Sequence, residues 1–148
     1  MIHSINITLA TLMLFSFSTF SFADEPSLDS MSESQIEQYC AAGKGGTPEI
    51  EYCANREFKK VDQQLNATYN KVITQLRTDH STNPSIQSAL PELIKAQRIW
   101  VTFRDAECGA HYTYYIDGTI RGLMFISCKT QLTEQREKDL RSFYLSTN

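Results

Sequence analysis

Apolar residues recur at spacings of three and four along most of the chain. Phe58, Val61, Leu65, Tyr69, Val72, Ile73 and Leu76 fall on one face of a helix. Thr47-Pro48-Glu49 supplies its start, because Thr can cap, Pro fits the first turn and Glu favours the positive end of the helix dipole. The pattern predicts a helix from Thr47 to about Thr78. Asp79-His80-Ser81-Thr82-Asn83-Pro84 then reads as a loop, with His80 a solvated loop residue. A second helix is predicted from about Ser85 to Cys108. Pro91 lies inside that range and removes a backbone donor, so the helix either kinks or starts near Leu90. Ile99-Trp100-Val101 and Phe103 put bulk on nearly every side of its middle. A helix apolar all round is covered on more than one face, which predicts that this one is central and flanked by the others. A last helix is predicted from about Ile120 to Phe143, unbroken through Thr133. Phe125, Cys128, Leu132, Arg136, Leu140 and Phe143 share its stripe.

Punctuation completes the outline. Ser32-Glu33-Ser34-Gln35 has the form of a capping box and opens a short helix to about Ala42. Gly43-Lys44-Gly45-Gly46 stops it, and lacks the order of a phosphate loop. Gly109 to Thr119, with three tyrosines and an Asp-Gly turn, reads as a loop. Tyr112 to Ile116 is the only candidate strand, and it is short. Positions Ile5 to Phe22 carry no charge, and Ser21-Phe22-Ala23 provides small residues where a signal peptidase reads. Residues 1–23 are therefore expected to be a removable signal peptide, with no stable membrane insertion after cleavage. Residues 24–46 form an acidic arm with the short helix, and residues 47–148 the helical domain.

All four cysteines, Cys40, Cys53, Cys108 and Cys128, follow the signal segment. An even count in an exported chain reads as two disulfides. Cys40–Cys53 with Cys108–Cys128 closes two short loops, whereas Cys53–Cys108 ties two helix ends; spacing alone does not choose. The expected fold is all-α, a disulfide-stapled bundle of three main helices with a short N-terminal helix. Net charge is −3, unevenly spread: Asp24, Glu25, Asp29, Glu33 and Glu37 precede Cys40 without a single base. This arm reads as solvated, with a possible role in steering a cationic partner. No basic stripe points to nucleic acid.

Chemistry is poorly provided for. No Cys-x-x-Cys pair exists and His80 and His111 are far from ligand spacing, so no metal or other cofactor is expected. Catalysis needs a nucleophile beside a base, paired carboxylates or a metal. Gln97, Trp100 or Val101, Arg104 and Cys108 share one helical face, Asn66 sits near the inward face of the first long helix, and Arg136 on the stripe of the last. No histidine joins them, and Asp105 points about 100° away from Arg104 around the helix. The polar set is therefore read as hydrogen bonding between helices, since buried polar groups survive when paired. No catalytic residue is assigned. Asn66-Ala67-Thr68 matches a glycosylation sequon, but inside a helix it reads as chance.

The residues Cys53, Asp62-x-x-Leu65-Asn66-x-x-Tyr69, Ala96-Gln97-Arg98-x-Trp100-x-x-Phe103-Arg104-Asp105-x-x-Cys108, Gly118-Thr119 and Cys128-x-x-x-Leu132-Thr133-x-x-Arg136-x-x-x-Leu140 together resemble the LprI-type family of bacterial envelope proteins. The match spans about Cys40 to Leu140. The resemblance implies an exported, all-helical, disulfide-stapled protein, some relatives of which inhibit lysozyme. Two departures stand out. Asp117-Gly118-Thr119 replaces the Gly-Gly pair that often precedes Ser or Thr in relatives, and the anchor cysteine of the lipoprotein members is missing, which favours a free periplasmic or secreted protein. The expected partner is a lysozyme or another peptidoglycan hydrolase. His111, Tyr112, Tyr114, Tyr115 and Asp117 are the candidate contact residues, because Tyr offers contact area at small entropic cost. The alternative is a non-catalytic envelope adaptor, or an immunity protein binding another cell-wall-active partner.

Overall fold

A computed structural model describes residues 27–80 and 89–145. The expected signal segment and the loop before the second long helix lie outside them. A short 3-10 turn, Leu28–Ser30, leads into α1 (Glu33–Ala41), and three long helices follow: α2 (Thr47–His80), α3 (Ala89–Tyr114) and α4 (Arg121–Tyr144). The described residues contain no strand. The chain is all-α and stapled twice, by Cys40–Cys53 and Cys108–Cys128, the first of the pairings the spacing allowed. No helix among the described residues is long and apolar enough to cross a membrane.

Helix ends follow local chemistry, with three corrections. The Ser32 N–H donates to Gln35 Oε1 at 2.8 Å, as the capping box requires. Gly43 takes a positive φ of 61° just past α1. At the start of α2, Gly46 rather than Thr47 is the cap. Its carbonyl accepts the first helical bond, from the Ile50 N–H, and Glu49 reaches back to accept from the Gly46 N–H at 2.9 Å. The backbone of Asp79 and His80, expected in a loop, belongs to α2. Pro91 falls in the first turn of α3 as described, where its missing N–H costs no helical bond. At the far end α3 does not stop at Cys108 but continues to Tyr114. Gly109 costs an α-helix only about 1 kcal/mol, and contacts with α4 hold the last turns in place. His111, Tyr112 and Tyr114 are therefore helical, the predicted loop shrinks to residues 115–120, and the candidate strand is absent.

Cross-links set the directions. Thr68 on α2 meets Glu137 on α4, so these helices run parallel with Glu51 against Gly122. Cys108 pairs with Cys128 and Gln97 with Arg136, so α3 runs antiparallel to α4. The central helix is α4, which packs extensively on both α2 and α3, while α2 and α3 meet sparsely. This overturns the expectation that α3 is central. Ile99 is 59% and Phe103 52% exposed on its outer face. Hydrophobicity measures what a helix can bury, not what covers it. The inner faces of α4 include Thr133 and Glu137, which read as polar in sequence yet lie against neighbours. Phe143, placed on the α4 stripe, is also exposed.

Three levels stack along the bundle. At one end Leu65, Val72, Ile73, Leu76, Leu93 and Leu140 form the buried apolar cluster, flanked by Tyr69 and Trp100. Each such side chain contributes about 1.5–3 kcal/mol when fully buried. A polar level follows, and the opposite end carries both disulfides and the 115–120 turn.

Candidate functional site

The polar level is built around Arg104, which is 7% exposed. Its Nε donates to Asp105 Oδ1 at 3.0 Å, and its Nη1 to Asp62 Oδ1 at 3.2 Å and Thr133 Oγ1 at 3.3 Å. The guanidinium lies 5.2 Å from the Trp100 ring centroid and 5.5 Å from that of Phe58. Lys129 on α4 extends the stack, with its Nζ 4.7 Å from the Phe58 centroid, 5.4 Å from that of Phe125, and 3.3 Å from Asp105 Oδ1. Rings and cations thus alternate, and two carboxylates balance two cations. Asp105, expected to point away from Arg104, bends back to it. Burial opposes the charge on Asp105, but the hydrogen bond and charge of Arg104, then Lys129, outweigh it and hold the carboxyl below its ordinary range.

Two further ties cross the helices. Arg136 Nε donates to Gln97 Oε1 at 3.0 Å. Thr68 Oγ1 donates to Glu137 Oε1 at 2.6 Å, and Arg141 pairs with the same carboxylate. Desolvation again opposes the charge, and the Thr68 and Arg141 bonds prevail to lower the Glu137 pKa. Asn66 does not cross between helices: it is exposed and donates to Asp62 Oδ2 at 3.0 Å, one turn back on α2. Tyr69 is half-buried against the apolar cluster. Thr68, the third residue of the sequon, is buried and spent on Glu137. Sequence reasoning missed Phe58 as a stacking partner, and Lys129, Thr68 and Glu137 altogether. Thr68 lies three residues past Leu65 on the same face, which was a readable signal; Lys129 offered none.

This arrangement is chemically quiet. Among the described residues no buried side-chain nitrogen or oxygen lacks a partner, all four cysteines are oxidised, and no cluster of His, Cys, Asp or Glu is placed to hold a metal. Arg104 is 7% exposed and directs three of its N–H donors to Asp105, Asp62 and Thr133, so the cation faces into the bundle.

The disulfide end is different, because it presents side chains outward on a held backbone. Arg121 donates from Nε to Tyr112 Oη at 3.0 Å and from Nη1 to the carbonyls of Ile116 and Gly118 at 3.3 and 3.4 Å. The Gly118 N–H closes the turn on the Tyr115 carbonyl at 2.9 Å. Tyr112 also meets Phe125 edge-on, so it braces the turn. Tyr115 is half-buried with its ring edge-on to Tyr114, while Tyr114 is 82% exposed. Asp117, Ile116 and Ile120 are exposed beside it. His111 is half-buried, 3.9 Å from Glu107. Ile50 and Tyr52, at the start of α2, are exposed at this same end of the bundle.

The acidic arm is partly neutralised. Glu33 pairs with Arg56, and Glu37 with Lys60 at 3.2 Å. With Cys40–Cys53 these pairs dock α1 on α2, so neither carboxylate is free to steer a partner.

The family described as "Lysozyme inhibitor LprI" matches residues 40–140, a span that begins at the first disulfide cysteine and ends at buried Leu140. A protein of Rhizobium meliloti (strain 1021) described as uncharacterized is 27% identical over 97 residues, covering 63% of this chain and 70% of that protein. No solved structure matches the chain. The matched span holds both disulfides, the Arg104 stack and the braced turn, and the chain belongs to the LprI lysozyme inhibitor family.

Proposed function

We propose that this protein is exported, binds lysozyme-type muramidases through the disulfide end of the bundle, and inhibits them without chemistry of its own. The observation that carries the reading is the clamp of Arg121 on a turn whose neighbouring side chains face solvent. A projecting segment fixed before binding loses little entropy on entering a cleft. Tyr114, Tyr115 and Asp117 are the contact residues, with Ile116 beside them and His111 at the margin. Tyr112 serves them from behind through Arg121 and Phe125. Asp117 supplies negative charge towards a basic target. Two disulfides favour an oxidising compartment, in keeping with periplasmic or secreted residence.

The test is lysis of a cell-wall suspension by c-type and g-type lysozymes in the presence of the purified protein. Inhibition is expected, and the double variant Tyr114→Ala, Asp117→Lys should weaken it about tenfold or more. Failure to slow any muramidase at large molar excess defeats the reading. In that case, pull-downs from periplasm that bring down an envelope protein would favour the adaptor or immunity role.

A further inference from the structure

Aromatic rings towards the disulfide end are matched with cations from the chain itself. Arg56 lies 6.0 Å from the Tyr52 ring centroid and Arg121 5.9 Å from that of Tyr112. Phe58 takes both Arg104 and Lys129, and Phe125 takes Lys129. Tyr114 and Tyr115 break this pattern. Their rings meet at 82° with centroids 5.0 Å apart, and no Lys or Arg among the described residues stands over either one. Arg121, close by in the chain, is committed to Tyr112 and to the carbonyls of Ile116 and Gly118. The two rings wall a hollow of about 360 Å³ that Glu107, Ala110 and His111 complete, with no Lys or Arg in its lining. Glu107 is half-exposed. Its ion-pair contact among the described residues is with His111 at 3.9 Å, too long for a hydrogen bond. His111 also lines an adjoining hollow of about 440 Å³, where Glu57 and Glu134 stand, again without Lys or Arg.

We propose that the hollow walled by Tyr114 and Tyr115 receives an arginine side chain of a basic protein partner. Two ring planes at right angles leave a corner that looks onto aromatic faces, which attract a cation. Glu107 adds a carboxylate to the same hollow. A planar guanidinium satisfies both, because it stacks on a ring while its N–H groups bond a carboxylate. The chain's own Arg104 already does this, bonded to Asp62 and Asp105 while lying over Trp100 and Phe58. Lysine carries the charge but lacks the plane, so it fits less well. An apolar side chain would strip water from Glu107 without pairing it, and an anion would meet Glu107 with Glu57 and Glu134 next door. The volume is at the small end of ligand hollows, about 300–1,000 Å³, and suits one long side chain. The inference deepens the proposed function by naming what the disulfide end takes in; it rests on that reading for which protein carries the arginine.

The test is a titration followed by NMR on the ring signals of Tyr114 and Tyr115 in the purified protein. The probes are three glycine peptides with blocked ends, carrying a single central arginine, lysine or citrulline. Citrulline keeps the shape of arginine and lacks its charge. Saturable shifts of both rings are expected with the arginine peptide, binding about threefold or more weaker with lysine, and none with citrulline. Glu107→Gln should weaken the arginine peptide about fivefold or more, and Tyr114→Leu about threefold. Both side chains reach solvent, so the helical circular dichroism of the variants should be unchanged. Equal shifts with arginine and citrulline, shifts that spare these two rings, an affinity indifferent to Glu107→Gln, or no saturation at any soluble concentration overturns the proposal. The lysis assay is read separately. Arginine binding without inhibition of any muramidase upholds the hollow and defeats the muramidase as its target. Inhibition that persists when the peptide arm fails defeats the hollow and leaves the proposed function standing.

Discussion

Arg104 joins α2, α3 and α4 through one guanidinium, and its loss leaves Asp62 and Asp105 facing each other across the gap. Removing one member of a fully buried pair costs about 3–5 kcal/mol. Both carboxylates are more than a third exposed and can turn to water, so Arg104→Ala should cost less, about 2–3 kcal/mol by urea denaturation. Arg104→Lys should recover little, because an ammonium lacks the planar fork that bonds two carboxylates while stacking between rings. Acid should act at the same level. The pKa values of Asp105 and Glu137 are depressed in the folded chain, so each stabilises the fold above its unfolded value. That stabilisation is lost as pH falls through the ordinary carboxylate range, about 4, towards the lower folded values. Thermal melts should therefore drop steeply with acidification, and Asp105→Asn should flatten the slope while lowering stability at neutral pH.

Helix junctions decide where each element points. Gly45 has φ of 100°, and an added Cβ would lie 2.7 Å from Glu49 Cβ and 2.5 Å from Tyr39 Oη. Gly45→Ala should cost about 1–3 kcal/mol, because neither the left-handed backbone nor the Glu49 stem can yield. Gly122 differs. A Cβ there meets only the carboxylate end of Glu51, which can swing aside. Gly122→Ala should be nearly neutral, within about 0.5 kcal/mol, and Gly43→Ala, in open space, should cost about 1 kcal/mol for its positive φ alone. Chemical denaturation of the three variants in parallel checks the order. A Gly122 variant as damaging as the Gly45 one would mean that Glu51 is held in place.

Across the molecule the two disulfides do different work. Their sequence separations are 13 and 20, for which chain entropy alone gives each about 3 kcal/mol. Position separates them. Cys40–Cys53 holds α1 against the outside of α2, and Lys60–Glu37 and Arg56–Glu33 assist it. Cys108–Cys128 is buried and joins α3 to the central helix beside the braced turn. Replacing Cys40 and Cys53 by Ser should free α1 to exchange its amide hydrogens while α2 to α4 stay protected and inhibition survives. Replacing Cys108 and Cys128 should lower stability by about 3 kcal/mol and weaken inhibition, because the turn loses its anchor. Hydrogen exchange read helix by helix, together with the lysis assay, separates the outcomes.

Much of this was legible in the chain. The spacing of Leu65, Val72 and Leu76, the Ser32–Gln35 box and the even cysteine count are local or compositional signals, and they determined three long helices, a short first one and two staples. Gln97 and Arg136 were readable as interior polar groups because each sits on an apolar stripe. Other features depended on what packs against what. The exposure of Phe103, the central place of α4, the continuation of α3 to Tyr114, the Thr68–Glu137 bond and the stacking of Lys129 are settled between residues far apart in sequence. Periodicity reports which face of a helix is apolar, since that follows from 3.6 residues per turn. It does not report which neighbour covers that face, or whether any does, because coverage is set by how whole helices align and cross. The sequence by itself determined the helices and the number of staples; the tertiary structure alone decided which cysteines pair, which helix lies at the centre, which polar groups meet, and which apolar face is left open to water.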